Sequence, residues 1–190
     1  MSRTESTMVE LGTIAPGFEL VDVLSGKPTG RDDLFDGKKG LLVMFVCPHC
    51  PYVKHVEAEL GRIGSDYAET IGVVGIMSND LVEYPQDGPE AMKEQARVFG
   101  WGFPYLLDET QEMARAYKAA CTPDFFLFDG ELKLVYRGQL DSSRPRRGDF
   151  GNGQEADGKD LRAALDAVVA GKRPDTNQVN SIGCNIKWKS

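Results

Sequence analysis

The feature that most constrains this chain is the join between an apolar run, Leu41 to Val46 (LLVMFV), and the segment that follows it, CPHCPYVKH, Cys47 to His55. An unbroken apolar run behind Gly40 predicts a central strand buried on both faces, because a strand with one wet face would alternate. Beyond Pro51, the apolar residues Val53, Val56, Leu60 and Ile63 recur at helical spacing, with Glu57, Glu59 and Arg62 turned away. Pro51 suits a first helical position, where it has no N–H to lose. The chain is thus expected to pass from a buried strand into a helix at two cysteines three apart, Cys47 and Cys50.

The flanking pattern extends this to an α/β architecture. Phe18 to Val23 (FELVDV) alternates like a strand, Asp32 to Lys39 reads as a turn or short helix, and Ile71 to Met77 (IGVVGIM) as a second buried strand. Helices are predicted over Glu90 to Phe99, over Thr110 to Ala119 with Thr110 as cap, and over Lys159 to Ala170, with Pro104 to Leu107 extended. Asp129-Gly130 between DFFLF and ELKLVYRG signals a hairpin. The order strand, helix, strand, helix, hairpin, helix implies a sheet with a parallel portion and an antiparallel edge, and sites in such sheets form beyond the carboxyl ends of the strands. Cys47 and Cys50 fall there. A Gly- and Arg-rich loop is expected over about 142–158, and residues 174–190 are expected to form an irregular tail on one domain spanning 1–190.

Charge and cysteine usage narrow the function. A net charge of -7, with basic residues scattered apart from Arg144, Arg146 and Arg147, disfavours nucleic acid and anionic membrane as partners. No segment approaches the roughly 18 apolar residues of a membrane span, and the N-terminus has no apolar core of signal-peptide length, so a cytoplasmic setting is expected. In a reducing compartment, paired cysteines point to redox chemistry or metal binding rather than to lasting disulfides. A helix N-terminus offers unpaired N–H groups and about half a positive charge, which favour thiolate over thiol, and a second thiol can then resolve a mixed disulfide.

The run from LLVMFVCPHCPYV to CTPDFFLFDG resembles the thioredoxin superfamily, and the leader GTIAPGFELVDVLSGK resembles its redoxin branch, which holds peroxiredoxins and alkyl hydroperoxide reductases. The segments HCPYVKHVE, SNDLVEYPQDGPEAMKEQA, FPYLLDETQEMARAY, CTPDFFLFD and SIGCNIKWK resemble a little-characterised bacterial peroxiredoxin-like group, over nearly the whole chain. The resemblance implies a thioredoxin-like fold, a central mixed sheet flanked by helices with an N-terminal redoxin-type extension. It also implies a reactive cysteine at the first long helix and a cis-proline loop at Thr122-Pro123, whose backbone would hold an extended substrate. In thioredoxins the first active cysteine lies five residues beyond a strand-end phenylalanine. Counting from Phe45 gives Cys50, with Cys-Pro-Tyr-Val as a single-thiol motif; the other count makes Cys47-Pro48-His49-Cys50 the dithiol. The peroxiredoxin proline and threonine, seven and three residues before the reactive cysteine, are replaced by Gly40 and Met44 before Cys47, and by Val43 and Cys47 before Cys50.

The expected activity is therefore thiol–disulfide exchange, with weak peroxide reduction as an accompaniment. Cys50 is the nucleophile, Cys47 or Cys121 the resolving thiol, and Thr122, Pro123 and Pro51 line the substrate. The partners are a disulfide-containing protein or small thiol and a thiol electron donor, with no cofactor. Two alternatives stay open: a metal module on Cys47 and Cys50 completed by Cys121, Cys184 or His49, and a redox sensor without turnover. Other residues have plainer readings. Cys121 is as readily a small buried residue; the resemblance implies that Cys184 sits in a tail folded back over the domain, where packing is the first reading and a resolving thiol the second; His49 can stabilise a thiolate when protonated, and His55 lies on the helix flank. Trp101, Phe103 and Tyr105 are core or loop aromatics, and Arg137 is expected in a surface salt bridge.

Overall fold

The computed structural model describes residues 3–146 and 151–190, so Arg147 of the basic run lies outside the described residues. Its larger sheet is built from β2 (Glu19–Asp22), β3 (Pro28–Gly30), β4 (Gly40–Phe45), β5 (Ile71–Met77), β6 (Tyr105–Leu107), β8 (Asp124–Phe128) and β9 (Leu134–Gly138). The strand order is β3-β2-β6-β5-β4-β8-β9. β4, β5 and β6 run parallel, while β8 and β9 continue antiparallel beside β4, and β2 and β3 beside β6. This is the mixed sheet that the alternation of strands and helices implies.

β4 lies centrally, and every one of its residues is buried. Its alternate side chains feed two cores: Leu42 and Met44 join Val53, Val56, Leu60 and Ile63 of α2 (Pro51–Asp66), while Leu41, Val43 and Phe45 join Val74, Ile76, Phe126 and Tyr117 on the opposite face. Burying each such side chain stabilises by about 1.5–3 kcal/mol relative to leaving it in water. Both strand faces are therefore pinned, and a slip of one residue would carry the wrong set to each helix layer. α3 (Pro89–Phe99) and α5 (Lys159–Val169) cover the α2 side, α4 (Glu112–Ala116) the other, and α1 (Arg31–Phe35) leads into β4.

Four expectations are corrected. α4 is shorter than Thr110 to Ala119: it starts after Gln111, which takes a left-handed φ of 63°, and the chain leaves the helix at Lys118, φ 52°. Thr110 accepts from the Glu112 N–H at 3.4 Å without being the cap residue. Glu59 does not turn away; it is buried and paired at 2.6 Å with both Arg62 and Arg162 of α5, whose two cations compensate the charge that burial would otherwise penalise. The tail is not irregular throughout, since Ile182–Asn185 forms β10. β10 pairs antiparallel with β1 (Arg3–Glu5) on one side and with β7 (Cys121–Thr122) on the other, giving a small second sheet. Among the described residues Arg137 makes no salt bridge; its guanidinium donates to the Val9 carbonyl at 2.8 Å and to Gln178 at 2.7 Å, tying leader to tail. Trp101, Phe103 and Tyr105 are core aromatics in mutual ring contact. Among the described residues no helix is long and apolar enough to cross a membrane.

Candidate functional site: four thiols at the mouth of α2

Cys50 is the N-cap residue of α2 and Pro51 its first helical residue. The strand-to-helix turn Cys47–Cys50 lies beyond the carboxyl end of β4, facing the segment Cys121–Pro123 before β8. The Thr122–Pro123 peptide bond is cis. Cys50 Sγ lies 3.1 Å from the Thr122 carbonyl oxygen, and Cys47 Sγ 3.4 Å from Thr122 Oγ1. Thr122 thus touches both cysteines of the pair, while the Cys121 sulfur is directed to the Pro123 carbonyl at 3.5 Å.

Cys184 completes the group. It stands in β10 directly opposite Thr122, whose carbonyl lies 3.1 Å from the Cys50 sulfur. Cys50 is 0% and Cys184 3% exposed, so the sulfur at the helix mouth is roofed by the tail strand. Nothing in the periodicity of SIGCNIKWK announces this.

The electrostatics divide the thiols. Burial pushes the Cys50 thiol up, but hydrogen bonds from Cys184, Cys47, Thr122 and the Val53 N–H together draw it well below the ordinary thiol range. The Thr122 carbonyl favours the protonated form, yet it is one acceptor against four donors. Cys47 moves the opposite way: its hydrogen bond to Cys50, burial and the negative charge of Asp87 all hold its proton on. Cys121 is raised by burial and then by the charge of Asp124. One sulfur of the group is therefore the natural anion and its neighbours are proton-bearing donors.

His49 belongs to a separate arrangement around Asp87, a residue the sequence does not single out. Asp87 is fully buried in the turn Pro85–Asp87, accepts from the His49 backbone N–H at 3.0 Å and from its ring Nδ1 at 2.5 Å, and accepts from Asn79 at 2.8 Å. The His49 ring stacks on Tyr84, and its Nε2 is buried without a hydrogen-bond partner among the described residues. Cys47, His49 and Asp87 each offer a ligand atom within 4.8 Å of the others. His55 is farther along α2 and bonds Ser143 at 3.0 Å. Only the pairing of PQDG with two flanking prolines marks the Asp87 loop in the sequence, and it marks a turn rather than a role.

Comparisons with known proteins agree with this fold. Over 100% of this chain and 97% of the other, the structure superposes on that of an uncharacterized conserved protein from Geobacillus kaustophilus, with TM-score 0.93 and 49% identity. A hypothetical protein from Sinorhizobium meliloti 1021 is 45% identical over 98% of this chain and 99% of that one, with TM-score 0.92. More distantly, a secreted disulfide oxidoreductase of Mycobacterium tuberculosis shares the fold at TM-score 0.57 and 17% identity, over 81% of this chain and 95% of its own. No curated protein matches the chain. Residues 11–137 match the AhpC/TSA family, a stretch that holds β4, the Cys47–Cys50 turn, α2 and the Thr122–Pro123 loop but stops short of β10. With its thioredoxin-like sheet and its cysteine pair at the mouth of α2 inside that match, the chain belongs to the AhpC/TSA family.

Proposed function

We propose that the protein is a thiol–disulfide oxidoreductase whose nucleophile is Cys50. The observation that carries this reading is the placement of the Cys50 sulfur at the N-cap of α2 among four hydrogen-bond donors, where the thiolate is the favoured form. The thiolate attacks a disulfide of a protein or small molecule, expels one thiolate and holds the other half as a mixed disulfide. A neighbouring thiol then displaces that half and leaves an internal disulfide, which a thiol donor reduces. Cys47 contacts the Thr122 hydroxyl and Cys184 pairs opposite Thr122, which itself touches Cys50; Cys121 is turned to the Pro123 carbonyl and suits packing better. Thr122, Pro123 and Pro51 border the attacked position. In a reducing compartment such as the cytoplasm, which the sequence leads us to expect, the donor is itself a thiol. Cys50→Ser should abolish reduction of a small disulfide in a glutathione-coupled assay while Cys121→Ser retains most of it; full turnover by the Cys50 variant would refute the assignment. Peroxide reduction is a lesser expectation, since no threonine or serine stands three residues before Cys47 or Cys50.

One observation favours a second reading, a metal centre: the convergence of Cys47, His49 and Asp87, with the buried Nε2 of His49 lacking a partner. A closed zinc site takes four ligands, so Cys50 would have to join. Against it, the carboxylate already orders His49 through the ring nitrogen. Elemental analysis of untagged protein decides: a stoichiometric metal, lost in Asp87→Ala, is required.

A further inference from the structure

We propose that β10 is a tethered strand ligand of the Cys121–Thr122 edge, and that Cys184, which it carries, is the thiol with which Cys50 closes an intramolecular disulfide. This rests on Cys50 being an exchange nucleophile and adds to that reading both the resolving residue and what covers the nucleophile.

The edge of β7 touches the reactive sulfur, since the Thr122 carbonyl lies 3.1 Å from Cys50 Sγ. An extended segment that adds to this edge by main-chain pairing sets one of its side chains beside Cys50, as strand addition does for peptide ligands generally. β10 makes that addition: Cys184 is in register with Thr122 and Asn185 with Cys121. The preceding residue is glycine for a physical reason, because a Cβ on Gly183 would overlap the carbonyl of Thr122. The Ser181 hydroxyl, just before the strand, donates to the Pro123 carbonyl at 2.6 Å. The result is an extended Gly-Cys segment laid across the mouth of α2, with Cys184 opposite the residue whose carbonyl lies 3.1 Å from the Cys50 sulfur.

Cys47 is the competitor, and its surroundings argue against it. It follows the end of the buried central strand with its sulfur 3.4 Å from the Thr122 hydroxyl, whereas the extended segment that pairs with Thr122 is the tail strand carrying Cys184. Cys184 rides a short strand that can leave and return.

The cycle balances as follows. With β10 unpaired, the Cys50 thiolate attacks a low-molecular-weight disulfide RSSR, forming Cys50–S–SR and releasing RS⁻. β10 re-pairs, and Cys184 gives up its proton and attacks the Cys50 sulfur. The Cys50–Cys184 bond forms, the Cys50–SR bond breaks, and the second RS⁻ leaves. The protein loses two electrons and the Cys184 proton, and RSSR gains the electrons as two RS⁻, one of which takes up that proton. An external dithiol reverses the change.

The test uses the full-length, reduced protein and oxidised glutathione as the probe, followed by alkylation, trypsin digestion and mass spectrometry. Cleavage places Cys47 and Cys50 together in the peptide 40–54, Cys121 in 119–133 and Cys184 in 173–187, so each pairing has its own mass. The expected product is 40–54 linked to 173–187 in the wild type, in Cys47→Ser and in Cys121→Ser, with Cys50 accumulating as its glutathione adduct in Cys184→Ser. Gly183→Ala should raise the rate of Cys50 adduct formation roughly tenfold or more, by opening the tail, and lower the yield of the link. An internal disulfide within 40–54, with Cys184 still alkylated, overturns the proposal while leaving Cys50 as nucleophile. Failure of every protein, Cys184→Ser included, to take glutathione at Cys50 overturns the exchange reading beneath it. The wild-type map needs no variant to fold.

Discussion

At the scale of single residues, the site separates charge by dividing donors from one acceptor-rich sulfur. Cys47 serves here as a donor, so its chemistry can be read by substitution. Cys47→Ser keeps a hydroxyl that can donate to Cys50, whereas Cys47→Ala leaves the anion one donor short. The pH profile of Cys50 alkylation should therefore stay depressed in the serine variant and move toward the ordinary thiol range, about 8.5, in the alanine variant. Equal profiles would show that the Cys47 contact does not tune the nucleophile. Asp124 allows a second prediction. It is fully buried beside the cysteine loop, accepts from the Ala120 N–H at 3.2 Å, and has one oxygen without a partner. Burial pushes its pKa up from 3.8 to about 7, against backbone N–H groups that hold it down. A folded-state pKa above the unfolded one means stability that is full below about 3.8 and is lost as pH rises to about 7, because the unfolded chain gives up the proton first. At about 1.4 kcal/mol per unit this contribution is on the order of 4 kcal/mol. Urea unfolding between pH 4 and pH 8 should show the decline, and Asp124→Asn, which cannot ionise, should flatten it.

At the scale of elements, what was legible in the sequence is what repeats or runs. β4 and β5 announce themselves as unbroken apolar stretches, and β5 matches Ile71 to Met77 residue for residue. α2 announces itself through four apolar positions at helical spacing behind Pro51. β1 and β10 carry no such mark: RTE is polar and IGCN too short to show a period, and they form only because each finds a partner at the far end of the chain. Glu59 was misread for a related reason, since its partner Arg162 lies on another helix. The same long-range logic sets where α2 points. Gly61 faces the end of α3, and a Cβ there would overlap the Phe99 carbonyl. Two effects of Gly61→Ala oppose each other: alanine gains about 1 kcal/mol of helix propensity, while overpacking costs typically 1–3 kcal/mol, and here the obstacle is backbone, which cannot rotate away. The packing cost should win, with a net loss of about 1–2 kcal/mol in urea unfolding. A neutral or stabilising result would mean that α3 yields easily and does not fix α2.

At the scale of the whole molecule, the two chain ends meet over the reactive sulfur. β10 is the middle strand of its small sheet, so β1 holds its outer edge while β7 holds the inner one. The register Arg3 to Cys184, Thr4 to Gly183 and Glu5 to Ile182 gives β10 as many backbone partners from the N-terminus as the cysteine loop provides, or more. The Ser6 N–H continues this pairing to the Ser181 carbonyl at 2.9 Å, and the Ser181 N–H returns a bond to Ser6 Oγ at 3.0 Å. Of these residues only Cys184 belongs to the cores on either side of β4. Opening of the roof should therefore be local, costing far less than unfolding the sheet. Deleting residues 1–6 strips one whole side of β10 and leaves β4, β5 and α2 with all their contacts. Hydrogen exchange should then speed up at the amides of Ile182–Asn185 while those of β4 and β5 stay protected, and Cys50 should be alkylated faster than in the full chain by roughly tenfold or more. If exchange rises everywhere together, the terminal strands are part of the cooperative core, and access to Cys50 is governed by global unfolding instead of by the tail.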